Sequence, residues 1–121
     1  MAKNMELSFL FDFYGDILTD KQRDVIELYY NDDLSLAEIA ENAGITRQGV
    51  RDSIKRAEAQ MLEMEECLGL AKRFREMREQ MSAVVTAAQE IRNLNGYLSR
   101  SREIEEQAVN IENIARQLLE D

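Results

Sequence analysis

Not one proline occurs in this 121-residue chain, and glycine occurs only five times. Proline is the residue that breaks helices, because it lacks an N–H and its ring clashes with the preceding turn. Much of the rest is Ala, Leu, Glu, Gln, Arg and Met, all good helix formers. Apolar residues recur at steps of three and four along most of the chain, which is the period of a helix rather than of a strand. An all-α protein with long helices follows.

Glycine and the capping residues then punctuate the helices. Residues 5–18 place Leu7, Leu10, Phe11, Tyr14, Ile17 and Leu18 on one face and Phe9 and Phe13 on another. A helix that is apolar on two sides buries both, against the C-terminal helices or a second subunit for the extra face. Gly15 is a weak point that can end this helix early. Thr19 with Gln22 three residues on forms a capping box, each side chain satisfying a free backbone N–H. A helix over 20–30 follows, with Val25, Ile26, Tyr29 and Tyr30 inward, and Asn31-Asp32-Asp33 breaks it.

The next stretch, SLAEIAENAGITRQGVRDSIKRAE from Ser35 to Glu58, is the most specific in the chain. Ser35 and Glu38 make a second capping box. Gly44 is placed to stop the first helix in the left-handed conformation, with Ile45 folding inward. Thr46 caps a second helix whose buried side is Val50, Ile54 and Ala57. Arg47, Gln48, Arg51, Asp52, Lys55 and Arg56 belong to its outward side. A short support helix, a glycine corner and a second helix with an exposed basic face make a helix-turn-helix. In a major groove Arg can pair bidentately with guanine and Gln with adenine, and Ser35 and Thr46 would bring helix ends near phosphates. The alternative is a solvated face, or one turned to RNA or protein. Gly49 interrupts this helix at a cost of about 1 kcal/mol, or else allows a close backbone approach.

Charge supports the same helix. Net charge is −9 overall, yet residues 44–58 carry four positive and two negative charges, against three and ten before them and eight and twelve after. A chain this acidic is not a general nucleic-acid coat, and contact confined to one helix would be weak and salt-sensitive in a single subunit.

Residues 18–58 resemble region 4 of bacterial sigma factors, a tri-helical core without a wing. LTDKQRDVIELYY matches its first helix, and SLAEIAE together with GITRQGVRDSIKRAE matches its helix-turn-helix. With the aromatic helix before it and the acidic helical tail after it, the whole chain resembles the YlxM-like family of small bacterial proteins. That resemblance implies a DNA-binding or regulatory protein with a link to the signal recognition particle. The link comes from genomic association, so its protein and structured RNA stand as alternative partners beside duplex DNA.

The recognition helix does not stop at Glu58. Val50, Ile54, Ala57, Met61, Met64 and Leu68 keep its period, and Gly69 with Leu70 reads as a Schellman stop. A second long helix over 70–98 carries a heptad seam of Leu70, Phe74, Met77, Met81, Val84, Ala88 and Ile91. Asn95-Gly96 reads as its fraying end. After the caps Ser99 and Ser101, a last helix carries the seam Ile104, Ala108, Ile111, Ala115 and Leu118. Two heptad helices and a short loop make an antiparallel hairpin. The expected organisation is a helix-turn-helix domain over 1–68 and a hairpin over 69–121 that makes a homodimer. Lys72, Arg73, Arg75 and Arg78 read as a solvated face pairing with Glu76 and Glu79.

Other function classes find little footing. Histidine is absent and there is no phosphate-binding glycine loop, so no catalytic residue, metal site or cofactor is expected. The lone Cys67 reads as a packed small residue in a reduced cytoplasmic protein. No apolar run is long enough to span a membrane.

Overall fold

The structure, a computed structural model, describes residues 3–120. All regular structure among them is helical: α1 (Met5–Tyr14), a 3-10 turn (Gly15–Ile17), α2 (Asp20–Tyr30), α3 (Leu36–Ala43), α4 (Arg47–Leu68), α5 (Leu70–Leu98) and α6 (Arg102–Glu120). The first helix does end early. It tightens into the 3-10 turn at Gly15, where a Cβ would lie 3.0 Å from the Phe11 ring.

The chain divides into two compact units, Met1–Lys72 and Arg73–Asp121. In the first, α1, α2 and α3 all pack against α4. Val50, Ile54, Ala57 and Met61 are each 0% exposed. Leu7, Leu10 and Tyr14 close over them from α1, Val25, Ile26 and Tyr29 from α2, and Ile39 and Ala40 from α3. Phe9 and Phe13 meet edge to face with ring centroids 5.1 Å apart, and both pack on this same core. The second apolar face of α1 is therefore partly buried within its own unit.

One tyrosine organises the turn from α4 into α5. Gly69 is left-handed (φ 63°) and its N–H donates to the Glu65 carbonyl at 2.8 Å. A Schellman stop would send the Leu70 N–H back to α4 as well. It goes instead to the Tyr14 hydroxyl at 3.2 Å, so the stop is the simpler single-bond left-handed motif. The Tyr14 hydroxyl donates to the Glu65 carboxylate at 2.6 Å. Glu65 in turn accepts the N–H groups of Ala71 and Lys72 at 3.1 and 3.0 Å. The first N–H groups of α5, which have no partner inside their own helix, are thus satisfied from α1 and α4. Ala71 enters the core while Leu70 stays half exposed.

In the second unit α5 and α6 run antiparallel, with Arg78 bonded to the Leu119 carbonyl, Gln89 to Glu112 and Arg92 to Glu105. Asn95 is buried, not frayed. Its amide donates to the Ser101 carbonyl at 2.8 Å and its side-chain oxygen accepts the Ser101 N–H at 2.9 Å, closing the connection. Arg78 lies over the Phe74 ring, 5.7 Å from its centroid, and caps the end of α6 through the Leu119 carbonyl.

The seam of this hairpin matches the expected one at Ala88, Ala108 and Ala115 and departs from it at the large aliphatic residues. Its buried residues are Val85, Ala88, Asn95, Ala108, Glu112 and Ala115. Met77, Ile91, Ile104, Ile111 and Leu118 are exposed on the neighbouring stripe. Three side chains hold the buried Glu112: Gln89 at 3.2 Å, Arg92 at 3.1 Å and Arg116 at 2.9 Å. Alanines and a satisfied polar cluster occupy the space between the helices, which turns the large aliphatic residues to the flank. Cys67 is also corrected: it is exposed rather than packed.

Two outcomes test this packing. Tyr14→Phe strands the Leu70 N–H and removes a donor from Glu65, so urea denaturation is expected to show a loss of about 1–3 kcal/mol; no loss would mean that the tyrosine does not hold the turn. At Glu112, hydrogen bonds from Arg116 and then Arg92 hold the carboxyl below its ordinary pKa of 4.5. The stabilisation is full above that value and fades as pH falls through the lower folded value. Thermal melts followed by circular dichroism are expected to weaken as pH drops below 4.5, and Glu112→Gln to remove part of that dependence. An identical pH profile in the variant would contradict this.

Candidate nucleic-acid interface

The recognition helix is positioned by local chemistry at both ends of the turn before it. The Ser35 hydroxyl accepts the Glu38 N–H, and the Glu38 carboxylate accepts the Ser35 N–H, both at 3.1 Å. Gly44 is left-handed (φ 69°), and the N–H groups of Gly44 and Ile45 both reach the Ala40 carbonyl. That is the Schellman pattern, and it turns the chain sharply. The Thr46 hydroxyl then accepts the Gly49 N–H at 3.0 Å and starts α4. Both Ser35 and Thr46 are therefore committed as helix caps, which fix where α3 and α4 begin.

With Val50, Ile54 and Ala57 locked inward, the rotation of α4 is set and so is its outer face. Arg47, Gln48, Asp52, Lys55 and Arg56 are exposed, and Arg51 is half-buried. These six and Thr46 lie within the first three turns of α4, while Ser35 stands apart at the start of α3. Gln48 donates to Asp52 one turn on at 3.0 Å, so its amide is already engaged in the free protein. Glu58 does not oppose the basic face freely, because its carboxylate accepts the Tyr30 hydroxyl. Burial and then Glu58 push the Tyr30 phenol above its ordinary pKa, so it stays protonated and donating.

Ion pairs take up several cations elsewhere in the chain. Lys3 pairs with Asp33, Arg23 with Asp16, Arg92 with Glu105 and Glu112, Arg102 with Glu106, and Arg116 with Glu112. Arg47, Arg51, Lys55 and Arg56 have no carboxylate partner among the described residues. Four unneutralised cations projecting from one rigid helix can attract phosphates and offer donors to base edges.

Beside this face an open groove of about 440 Å³ lies between the start of α2 and α4. Thr19, Lys21, Ser53 and Arg56 contribute to its walls. Sequence reasoning singled out Arg56 but missed Lys21 and Ser53. Their approach joins residues more than thirty positions apart, and no local period signals it. No cluster of three or more Cys, Asp or Glu side chains that could hold a metal occurs among the described residues. No helix among them is long and apolar enough to cross a membrane.

Comparison with known proteins places this geometry. A family model described as "Putative helix-turn-helix protein, YlxM / p13 like" matches residues 1–101, which take in the helix-turn-helix and all of α5. A UPF0122 protein of Thermoanaerobacter sp. (strain X514) is 43% identical over 114 residues, covering 94% of this chain and 92% of that protein. A UPF0122 protein of Bacillus cereus (strain AH187) is 51% identical over 76 residues, covering 63% of this chain and 69% of that protein. One of Caldanaerobacter subterraneus subsp. tengcongensis is 49% identical over 78 residues, covering 64% and 67%.

Proposed function

The chain belongs to the YlxM / p13-like helix-turn-helix family, and from that premise we propose that it is a regulatory protein, not an enzyme, that reads duplex DNA with the first turns of α4. The observation that carries the reading is the run of unpaired cations Arg47, Arg51, Lys55 and Arg56 on a helix whose opposite side is wholly buried. Arg51 and Gln48 are the base readers, with Arg47, Lys55 and Arg56 on phosphates. Asp52 holds the Gln48 amide until an adenine edge replaces it. The protein works in the cytoplasm. A link to the signal recognition particle rests on the family resemblance alone.

The working unit is a homodimer joined through its hairpins. Ile91, Leu94, Leu98 and Ile104 border one concavity of the hairpin, and Ile91, Ile104 and Ile111 border another. Two helices cannot cover such a stripe alone, whereas two hairpins can bury it as a four-helix bundle. Dimerisation also supplies the affinity that a single recognition helix lacks.

Two measurements test this. Arg51→Ala is expected to cost roughly 1–3 kcal/mol against a preferred duplex and to relax sequence preference, and Lys55→Ala to lower the salt slope by about 1. If both leave duplex affinity unchanged while a structured RNA binds more tightly, the recognition helix is not a DNA reader. Sedimentation at tens of micromolar is expected to give a dimer and Ile104→Glu a monomer. A monomeric wild-type protein would sink the dimer.

A further inference from the structure

The groove between the start of α2 and the flank of α4 is not explained by base reading. Its cationic walls are Lys21 and Arg56, with the hydroxyls of Thr19 and Ser53 between them, and no acidic side chain lines it. Neither cation has an ion-pair or hydrogen-bond partner among the described residues, although the chain carries a net charge of −9. The two acidic residues nearest in sequence to Lys21, Asp20 and Asp24, do not line the groove. Two cations without partners on one groove that no carboxylate lines give it a positive potential suited to an anion.

Gly49 explains how the groove stays open. It is one of the lining residues and its backbone is helical, so no turn demands glycine there. A Cβ at this position would stand 3.2 Å from the Thr46 hydroxyl oxygen and 3.7 Å from Ile45. Any side chain would therefore crowd the cap that starts α4 and project beside the groove. Helical glycine costs about 1 kcal/mol, and here it leaves the Thr46 cap uncrowded.

We infer that this groove seats a backbone phosphate of the nucleic acid whose bases face α4. Lys21 and Arg56 supply charge, Thr19 and Ser53 supply hydroxyl donors, and Gly49 leaves room for the strand. The groove adjoins the reading face, since Arg56 and Gly49 lie one turn or less from Lys55 and Gln48 on α4. A phosphodiester fits better than a free anion, because a groove of about 440 Å³, open to solvent, accommodates a stretch of strand and encloses no single ion. This inference rests on the duplex reading above. It adds that α2, as well as α4, touches the nucleic acid and fixes the protein's register on it.

Full-length protein and a fluorescein-labelled duplex test it by salt titration of wild type, Lys21→Gln, Arg56→Gln and Arg51→Ala. Lys21→Gln and Arg56→Gln are each expected to lower the salt slope by about 1 and to weaken binding roughly 3- to 10-fold, equally for every duplex sequence. Gly49→Ala is expected to weaken binding in the same sequence-independent way. If Arg51→Ala and Arg56→Gln weaken binding but Lys21→Gln leaves the slope unchanged, the groove assignment falls and the reading of α4 stands. If wild type binds no duplex at all, both fall. Inorganic phosphate is the second arm. Millimolar phosphate that shifts the amide resonances of Gly49 and Ser53 when the duplex does not would make this a free-anion site and overturn the assignment.

Discussion

The first unit depends on one stripe of one helix. Val50, Ile54, Ala57 and Met61 are fully buried on α4, and every other helix of that unit closes on them. Each large side chain so buried contributes on the order of 1.5–3 kcal/mol. The stripe fixes the rotation of α4 as well as the stability of the unit. With its inner side committed to the core, α4 presents one outer face, and that face carries four cations without carboxylate partners. The core and the candidate interface are thus two sides of one constraint. A reading surface gains from being set before its ligand arrives, because less ordering remains to be done on binding.

The ends of α4 are treated as carefully as its sides. Thr46 starts it, and left-handed Gly69 ends it. Tyr14 and Glu65 then start α5, so the core of the first unit also fixes where the second long helix begins. This answers the demand that every buried or terminal backbone N–H find a partner. In the hairpin the same demand is met differently. Glu112, Arg92, Arg116 and Gln89 satisfy one another between alanines, and Asn95 closes the loop. A satisfied polar cluster can fix the register of two helices that would otherwise slide.

What could be read in the sequence was mostly local. Both capping boxes, the glycine stops at 44 and 69, the bounds of α4 and the all-α class follow from residues within a turn or two of one another. The outward set from Arg47 to Arg56 follows too, because it is the complement of a strong apolar stripe. The hairpin shows the limit of that logic. A three-four period marks a stripe, but α5 and α6 each carry two adjacent stripes with that period. The expected seam takes members of both stripes together, Ala88, Ala108 and Ala115 with Ile91, Ile104 and Ile111, and only the alanines are buried. The structure buries Ala88, Ala108 and Ala115 with Glu112, because that charge has two arginines and a glutamine in reach. Tyr14 and Lys21 escape sequence reasoning for a related reason. Their partners lie far along the chain, at Glu65 and beside Arg56, and no period connects them.

The fixed outer face of α4 is the surface we propose for contact with duplex DNA. The most direct test is to map backbone amide shifts of isotope-labelled protein as duplex DNA is added at low salt. The largest shifts are expected between residues 46 and 56, with the buried stripe unmoved and α6 unaffected. Shifts concentrated in α6, or none along α4 at saturating duplex, would contradict it.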